Sequence, residues 1–311
     1  MKNKKHDHDH GHSHDHIHSH NHSGSKNIAV AFFLNLSFTV IEVIGGLLTN
    51  SVAILSDAVH DLGDSFSLAL SWYFEKIAKR SPTKKYTYGY KRFSLMGAMI
   101  NSTVLLVGST IVIVESCKRI FNPQEVHAEG MLLLAVLGVV INGIAVLRTR
   151  KGAGVNERVV SLHLLEDVLG WAAVLVVSIV MIFVDVPVLD PLLSIGISLF
   201  VLYNVYRNLK TTFNVMLQGV PADIDMETLT EKLTYVHDVK AVHDLHVWSL
   251  DSQYNIASLH AVIDKQDMSP EKLLEIKLEI KAFMKEEGIE HTTVEFEAPG
   301  EECITNCQEQ I

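Results

Sequence analysis

The sequence predicts an α-helical membrane protein of six transmembrane helices, followed by a C-terminal cytosolic α/β sandwich domain. Three observations predict it. Six apolar segments, at roughly 28–49, 52–74, 94–116, 128–148, 158–184 and 188–209, each approach the roughly 20 residues that cross a bilayer. Basic residues gather in alternate loops between them. After about Pro221 the long apolar segments stop, and the charge changes sign. From Gly219 to the end there are twenty acidic and seven basic residues, whereas the rest of the chain is basic by three.

The first element, residues 1–27, is a polar leader expected to be disordered and cytosolic. His6, His8, His10, His12, His14, His16, His18, His20 and His22 alternate with mostly Asp, Ser, Gly and Asn. Such a run cannot bury a core. The interleaved aspartates distinguish it from a plain histidine block and suit metal capture; a tolerated spacer is the bland reading. No cleavable leader is expected, because the first apolar segment lacks a small-residue cleavage pattern.

The six spans occupy 28–212, and their loops set the orientation. Lys76, Lys79, Arg80, Lys84, Lys85, Lys91 and Arg92 fall between spans two and three. Arg148, Arg150, Lys151 and Arg158 fall between spans four and five, and Arg207 and Lys210 close the sixth. The opposite loops are short and poor in basic residues. The positive-inside rule then places both termini in the cytoplasm of a multi-pass cell-membrane protein. Lys118 and Arg119 dissent at the outer end of span three, and are expected to snorkel to the headgroups.

Residues 219–297 read as a small α/β unit. Ile224 to Tyr235 is a helix, and Val239 to Leu250 and Tyr254 to Asp264 are strands around a turn at Asp251 to Gln253. Ser269-Pro270 opens a second helix, Gly288 stops it, and Thr292 to Glu297 forms a last strand. The order α-β-β-α-β suggests two layers. Residues 298–311 form a tail with Cys303 and Cys307. With Cys117 the cysteines number three, too few and too odd for a disulfide framework. The acidic balance fits cation handling and excludes a nucleic-acid partner.

Two pairs carry the chemistry. His60 with Asp64, and His163 with Asp167, each read His-x-x-x-Asp inside an apolar segment. Residues four apart share a helix face. A charge at the bilayer centre costs about 2.5–3.5 kcal/mol on insertion scales, so such groups usually face a cavity or a partner. Two nitrogens and two oxygens make a tetrahedral donor set suited to Zn2+. Polar glue between helices is the bland reading, and two identical pairs outweigh it. Asp57 can share the face of His60 and is placed as a pathway or supporting residue. Asp61 and Glu166 are expected on other faces. In the α/β unit, His243, His246, His260, His291, Glu295 and Glu297 are candidate ligands, against the bland reading of a solvated sheet face. His246 stands three after His243, so strand alternation puts it on the other side.

Four motifs give a family resemblance. Leu48 to Ser65, Tyr88-Gly-Tyr-Lys-Arg-Phe93, His163-Leu-Leu-Glu-Asp167 and His243-Asp-Leu-His-Val-Trp-Ser249 resemble the cation diffusion facilitators, over about residues 28 to 297. The resemblance is closest to their bacterial zinc, cobalt and cadmium efflux branch. It implies a homodimeric, proton-coupled exporter of six spans per subunit, not an enzyme, with His60, Asp64, His163 and Asp167 as its transport site. It implies a metallochaperone-like soluble domain that binds regulatory metal through His243, His260 and Glu297, with His291 as a further candidate ligand. A His replaces Glu295 in some relatives. Manganese- and iron-type members tend to carry Asp where His60 stands, so the imidazole implies zinc, with Cd2+ and Co2+ as further cargo. Cys303 and Cys307 resemble a more tightly spaced pair in animal zinc transporters and are candidate tail ligands.

The expected function is therefore proton-coupled antiport of Zn2+ out of the cytoplasm by alternating access. Ligand imidazoles must lose a proton to bind metal, and His titrates in the useful range. A membrane zinc hydrolase and a membrane metal sensor are the alternatives. The first needs an open metal position and a general base, and no His-Glu-x-x-His occurs.

Overall fold

The structure is a computed structural model that describes residues 23–149, 155–184, 186–264 and 269–301. The histidine run from His6 to His22, and Cys303 and Cys307, lie outside the described residues.

Six helices come first: α1 Ser23–Thr49, α2 Val52–Ala78, α3 Phe93–Phe121, α4 Ala128–Thr149, α5 Val155–Phe183 and α6 Leu189–Met216. Among the described residues four stretches are long and apolar enough to cross a membrane: Phe93–Phe121, Ala128–Leu147, Leu164–Phe183 and Leu189–Met216. Helix α2 fails that test of composition because it carries Asp57, Asp61, Asp64, Glu75 and Lys76. The described apolar part of α1 is Asn35–Thr49.

Packing divides the bundle unevenly. α4 lies along α5, while α2 packs on α1, α3 and α6, and α3 packs on α6. α2 and α5 meet only briefly. Gly63 and Gly138 permit close approach: a Cβ on Gly63 would run into Leu105, and one on Gly138 into the Trp171 ring. Trp171 stacks edge-to-face on Phe38 at 5.8 Å between centroids. It sits in a core with Ile54, Met131, Ala135 and Val174.

Polar pairs tie α6 to α2 and to α3. Ser116 Oγ donates to Ser194 Oγ at 3.0 Å, Ser194 Oγ donates to the Val52 carbonyl at 3.2 Å, and Ser56 pairs with Ser198 at 3.0 Å. Small residues and hydroxyls of this kind hold helices together where the hydrophobic effect cannot. Arg119 departs from the snorkelling expectation. Its Nη1 donates to the Asn50 carbonyl at 2.7 Å and its Nε to Glu115 at 3.2 Å, so it pins the α1–α2 turn. Asn50 adopts φ +55° there and leaves that carbonyl outside any helical ladder.

The C-terminal unit contains α7 Met226–Leu233, β1 Val239–Ser249, β2 Asn255–Ile263, α8 Pro270–Glu286 and β3 Ile289–Glu297. Asp225 caps α7, and the Thr228 hydroxyl with the Glu227 and Thr228 amides holds its carboxyl below the usual range. Ser269 caps α8 and Pro270 takes its first turn. The sheet order is β1-β2-β3. β1 and β2 run antiparallel across the Asp251 turn, whereas β2 and β3 run parallel, as a strand–helix–strand crossover requires. Leu245, Val247, Ala257, Leu259, Ala261 and Val294 turn one face onto α7 and α8. Among the described residues the other face carries no helix of this unit.

Candidate metal sites

His60 and Asp64 lie on adjacent turns of α2, and His60 Nε2 is 3.7 Å from Asp64 Oδ2. The same nitrogen is 3.9 Å from Asp167 Oδ1 of α5. One residue from each His-x-x-x-Asp pair thus meets at the seam where α2 and α5 touch. His163 lies one turn before Asp167 on α5, and its side chain falls outside the described residues. These separations are a little longer than the roughly 3.3 Å edge of a tetrahedron built on metal–ligand bonds of about 2.0 Å, a gap that small side-chain movements close.

Asp57, His60, Glu166, Asp167, Leu193 and Phe200 are among the residues lining a cleft of about 320 Å³ between α2, α5 and α6. Glu166, expected on another face, is exposed at this same cleft. Asp57 is 5% exposed. Asp61 is also buried, and its carbonyl accepts from Asn35 Nδ2 at 2.9 Å.

Two buried carboxylates escaped the sequence reading. Glu42 of α1 is 1% exposed and stands beside Asp61. Its signal was a lone acid in an apolar segment. Asp190, 0% exposed, accepts from Ser51 Oγ at 2.5 Å, the Val52 amide at 2.8 Å and the Ala53 amide at 3.2 Å. It closes the N-terminus of α2 from α6, where helix amides lack internal partners.

The second cluster lies on the open face of the small sheet. His243 and His260 are cross-strand partners. Glu297, 7% exposed, stands between their rings: Oε2 is 2.7 Å from His243 Nε2, and Oε1 is 2.7 Å from His260 Nδ1. The His260 contact is not aligned as a hydrogen bond, and Nδ1 is buried. Ligand atoms of these three residues all lie within 4.8 Å of one another. Among the described residues His291 does not join that group. It pairs with Ile256 near the start of β3, and its ring meets Tyr88 of the α2–α3 loop edge-to-face at 5.8 Å. The same loop sends Lys91 over the Tyr254 ring at 4.3 Å and to 3.8 Å from Asp251.

His246 corrects the alternation argument. The register runs His243↔His260 and then His246↔Ser258, so one extra residue is bulged out of β1. His260 and Ser258 are two apart and share a face, so His243 and His246 share one too. Asp244, in the bulge, has φ +49°. A bulge adds one residue and shifts the phase of every side chain beyond it.

Residues 28–217 match the cation efflux transmembrane domain, and residues 221–298 match the cation efflux protein cytoplasmic domain. The chain belongs to the cation efflux family. It is 33% identical over 276 residues to the cadmium, cobalt and zinc/H(+)-K(+) antiporter of Bacillus subtilis (strain 168), covering 88% of each chain. It is 34% identical over 281 residues to the metal cation efflux system protein CzcD of Cupriavidus metallidurans, covering 89% of this chain and 88% of the relative. It is 33% identical over 243 residues to the zinc transporter ZitB of Yersinia pestis, covering 77% of this chain and 78% of the relative. The chain is thus a cation diffusion facilitator of the bacterial zinc, cadmium and cobalt branch: a membrane transporter of metal cations and not an enzyme.

Proposed function

We propose that this transporter exports Zn2+ from the cytoplasm in exchange for protons, with Cd2+ and Co2+ as further cargo. The observation that carries the reading is the meeting of His60, Asp64 and Asp167 at one point between α2 and α5. His163 supplies the fourth ligand from the preceding turn of α5. Two imidazoles and two carboxylates favour zinc over the hard cations, which prefer oxygen alone.

All six helices span the membrane, including α1 and the acid-bearing α2, and both termini lie in the cytoplasm. The membrane domain is 28–212 and the cytosolic domain 219–297. Asp57, Asp61 and Asp64 of α2 are tolerated because they lie among helices, Asp57 and Asp64 towards α5 and Asp61 towards α1, and not against lipid. The seam also suits alternating access. α2 is tied to α6 by hydroxyl and carboxylate contacts and touches α5 only briefly, so α5 is free to separate from it around the ligands. Metal binding expels protons from the imidazoles, and protons arriving from outside release the metal.

His243, His260 and Glu297 bind regulatory zinc. Two such acidic domains facing each other in a homodimer repel, and a bound dication weakens that repulsion. The name of the Bacillus subtilis relative, which couples metals to H+ and K+, supports the antiport reading. The test is zinc uptake into vesicles reconstituted with the full chain under an imposed pH gradient, with a pH-sensitive dye inside. Zinc movement that runs only with the gradient, and dissipates it, is expected. Zinc flux indifferent to the gradient refutes proton coupling.

A further inference from the structure

A transport site has to let go of its metal in every cycle. His60, Asp64, His163 and Asp167 together would fill all four corners around a tetrahedral zinc ion, and sites closed in this way hold their metal. Taking a ligand from a dication inside an apolar span, with nothing in its place, leaves charge uncompensated in a low-dielectric interior. Zinc offers another route, because it expands to five-coordinate in a transition state. A fifth donor beside the site then lowers the barrier to exchange.

Glu166 stands where such a donor is needed. It is exposed on α5, at the cleft that also takes in Asp57, His60 and Asp167. Among the described residues it makes no hydrogen bond and no ion pair, and no Lys or Arg lines the cleft to neutralise it. An ionisable group within a span is costly and marks function by default. The face of α5 that carries Glu166 is turned to α2. Gly170 lies four residues on and shares that face, and a Cβ placed on Gly170 would sit 3.6 Å from Asp57 Oδ1. With no side chain at Gly170, the space between Glu166 and Asp57 stays open. Gly196 does the same on the α6 wall, where an added Cβ would meet nothing within 4 Å. Glu166 and Asp57 are the two donors of this lining that the tetrahedral set does not use. Asp57 is buried and Glu166 is exposed, so Glu166 is the one with freedom to swing.

We propose that Glu166 is the exchange ligand of the transport site: its carboxylate takes the metal as a transient fifth donor and carries it between the tetrahedral set and the cleft. One oxygen–metal bond forms as one of the four ligand–metal bonds breaks. The departing ligand keeps its electron pair, and nothing is oxidised or reduced. The proposal rests on the reading of His60, Asp64, His163 and Asp167 as the transport site. A contact made only during exchange adds to rate and not to affinity.

The test is zinc uptake by vesicles reconstituted with the full chain, measured over a range of zinc concentrations for the wild type, Glu166→Gln, Glu166→Asp and Asp167→Ala. Glu166→Gln is expected to lower kcat and kcat/KM by the same factor, about tenfold or more, with KM unchanged, as loss of a charged contact made only in the transition state requires. Glu166→Asp keeps a carboxylate on a shorter stem and should recover part of the rate. The Gln variant should melt at the wild-type temperature, because the side chain is exposed. A Gln variant with the wild-type kcat overturns the proposal. So does one whose KM rises at constant kcat, which makes Glu166 an attractor of cations, and so does one that melts lower, which makes the loss structural. Asp167→Ala separates the two readings. If it abolishes flux while Glu166→Gln transports normally, only the exchange ligand falls; if it transports normally, the transport site is wrong and the exchange ligand falls with it.

Discussion

Replacing Asp190 by Ala should loosen the transport helix without touching a metal ligand. The carboxylate accepts three hydrogen bonds, from Ser51 Oγ, the Val52 amide and the Ala53 amide. Val52 and Ala53 are 1% and 0% exposed, so water cannot replace it. Ser51 is already committed to the Ile54 amide at 3.2 Å. Each orphaned buried donor costs about 1–3 kcal/mol. The lost attraction between a carboxylate and a helix N-terminus adds up to about 2 kcal/mol in a partly buried geometry. Two amides and that attraction together give roughly 2–8 kcal/mol, and about 4 kcal/mol is the central figure. Asp190→Asn keeps one acceptor oxygen and should lose roughly half as much. Thermal unfolding of the detergent-solubilised chain, followed by circular dichroism, reads the loss. At about 2–4 °C per kcal/mol for a large domain, the Ala variant should melt roughly 10 °C lower. Zinc flux should fall with it, because α2 carries His60 and Asp64 from a start that is no longer fixed on α6. An Ala variant that melts at the wild-type temperature would show that the cap contributes nothing.

The other expectations concern metal. His60→Ala or Asp167→Ala should abolish zinc flux in reconstituted vesicles while the protein still inserts; near-normal flux in either variant removes that residue from the site. His60→Asp should harden the site and let manganese or cadmium compete better, and an unchanged metal ranking in a flux panel contradicts this. Deleting residues 6–22 should slow transport at scarce zinc but leave the maximal rate intact, because a run of histidine donors raises local metal concentration without joining the transport site; loss of flux at saturating zinc refutes it. Zinc at about 100 times its Kd should stabilise the folded cytosolic domain within the full chain by about 2.7 kcal/mol. His260→Ala should erase that gain, and an equal zinc-induced rise in melting temperature in the variant sinks the assignment.

Much of the molecule was legible in the chain because its signals are local. Apolar length marks α3 to α6, and the spacing of His60 and Asp64 marks a shared helix face whatever surrounds it. Ser269-Pro270 and Gly288 fix the ends of α8 through backbone geometry alone.

What the sequence could not decide depends on residues far apart in the chain. His246 looked misplaced because alternation assumes an unbroken ladder; a single bulged residue, visible only in the pairing of β1 with β2, reverses the side it faces. His291 shares a strand with Glu297, yet its offset puts it against Tyr88 of a distant loop and not beside His243. Arg119 read as a snorkelling cation, but a carbonyl released by the α1–α2 turn draws it inward. Asp190 is an ordinary acid until α6 packs beside α2, where it meets two amides that no residue of α2 could satisfy. The sequence by itself determined which side chains can bind metal and on which helix face they lie, since 3.6-residue periodicity and donor chemistry are properties of neighbours. Only the tertiary structure decided that His60 of α2 meets Asp167 of α5, because the height of one helix against another is set by packing and capping contacts spread over the whole bundle.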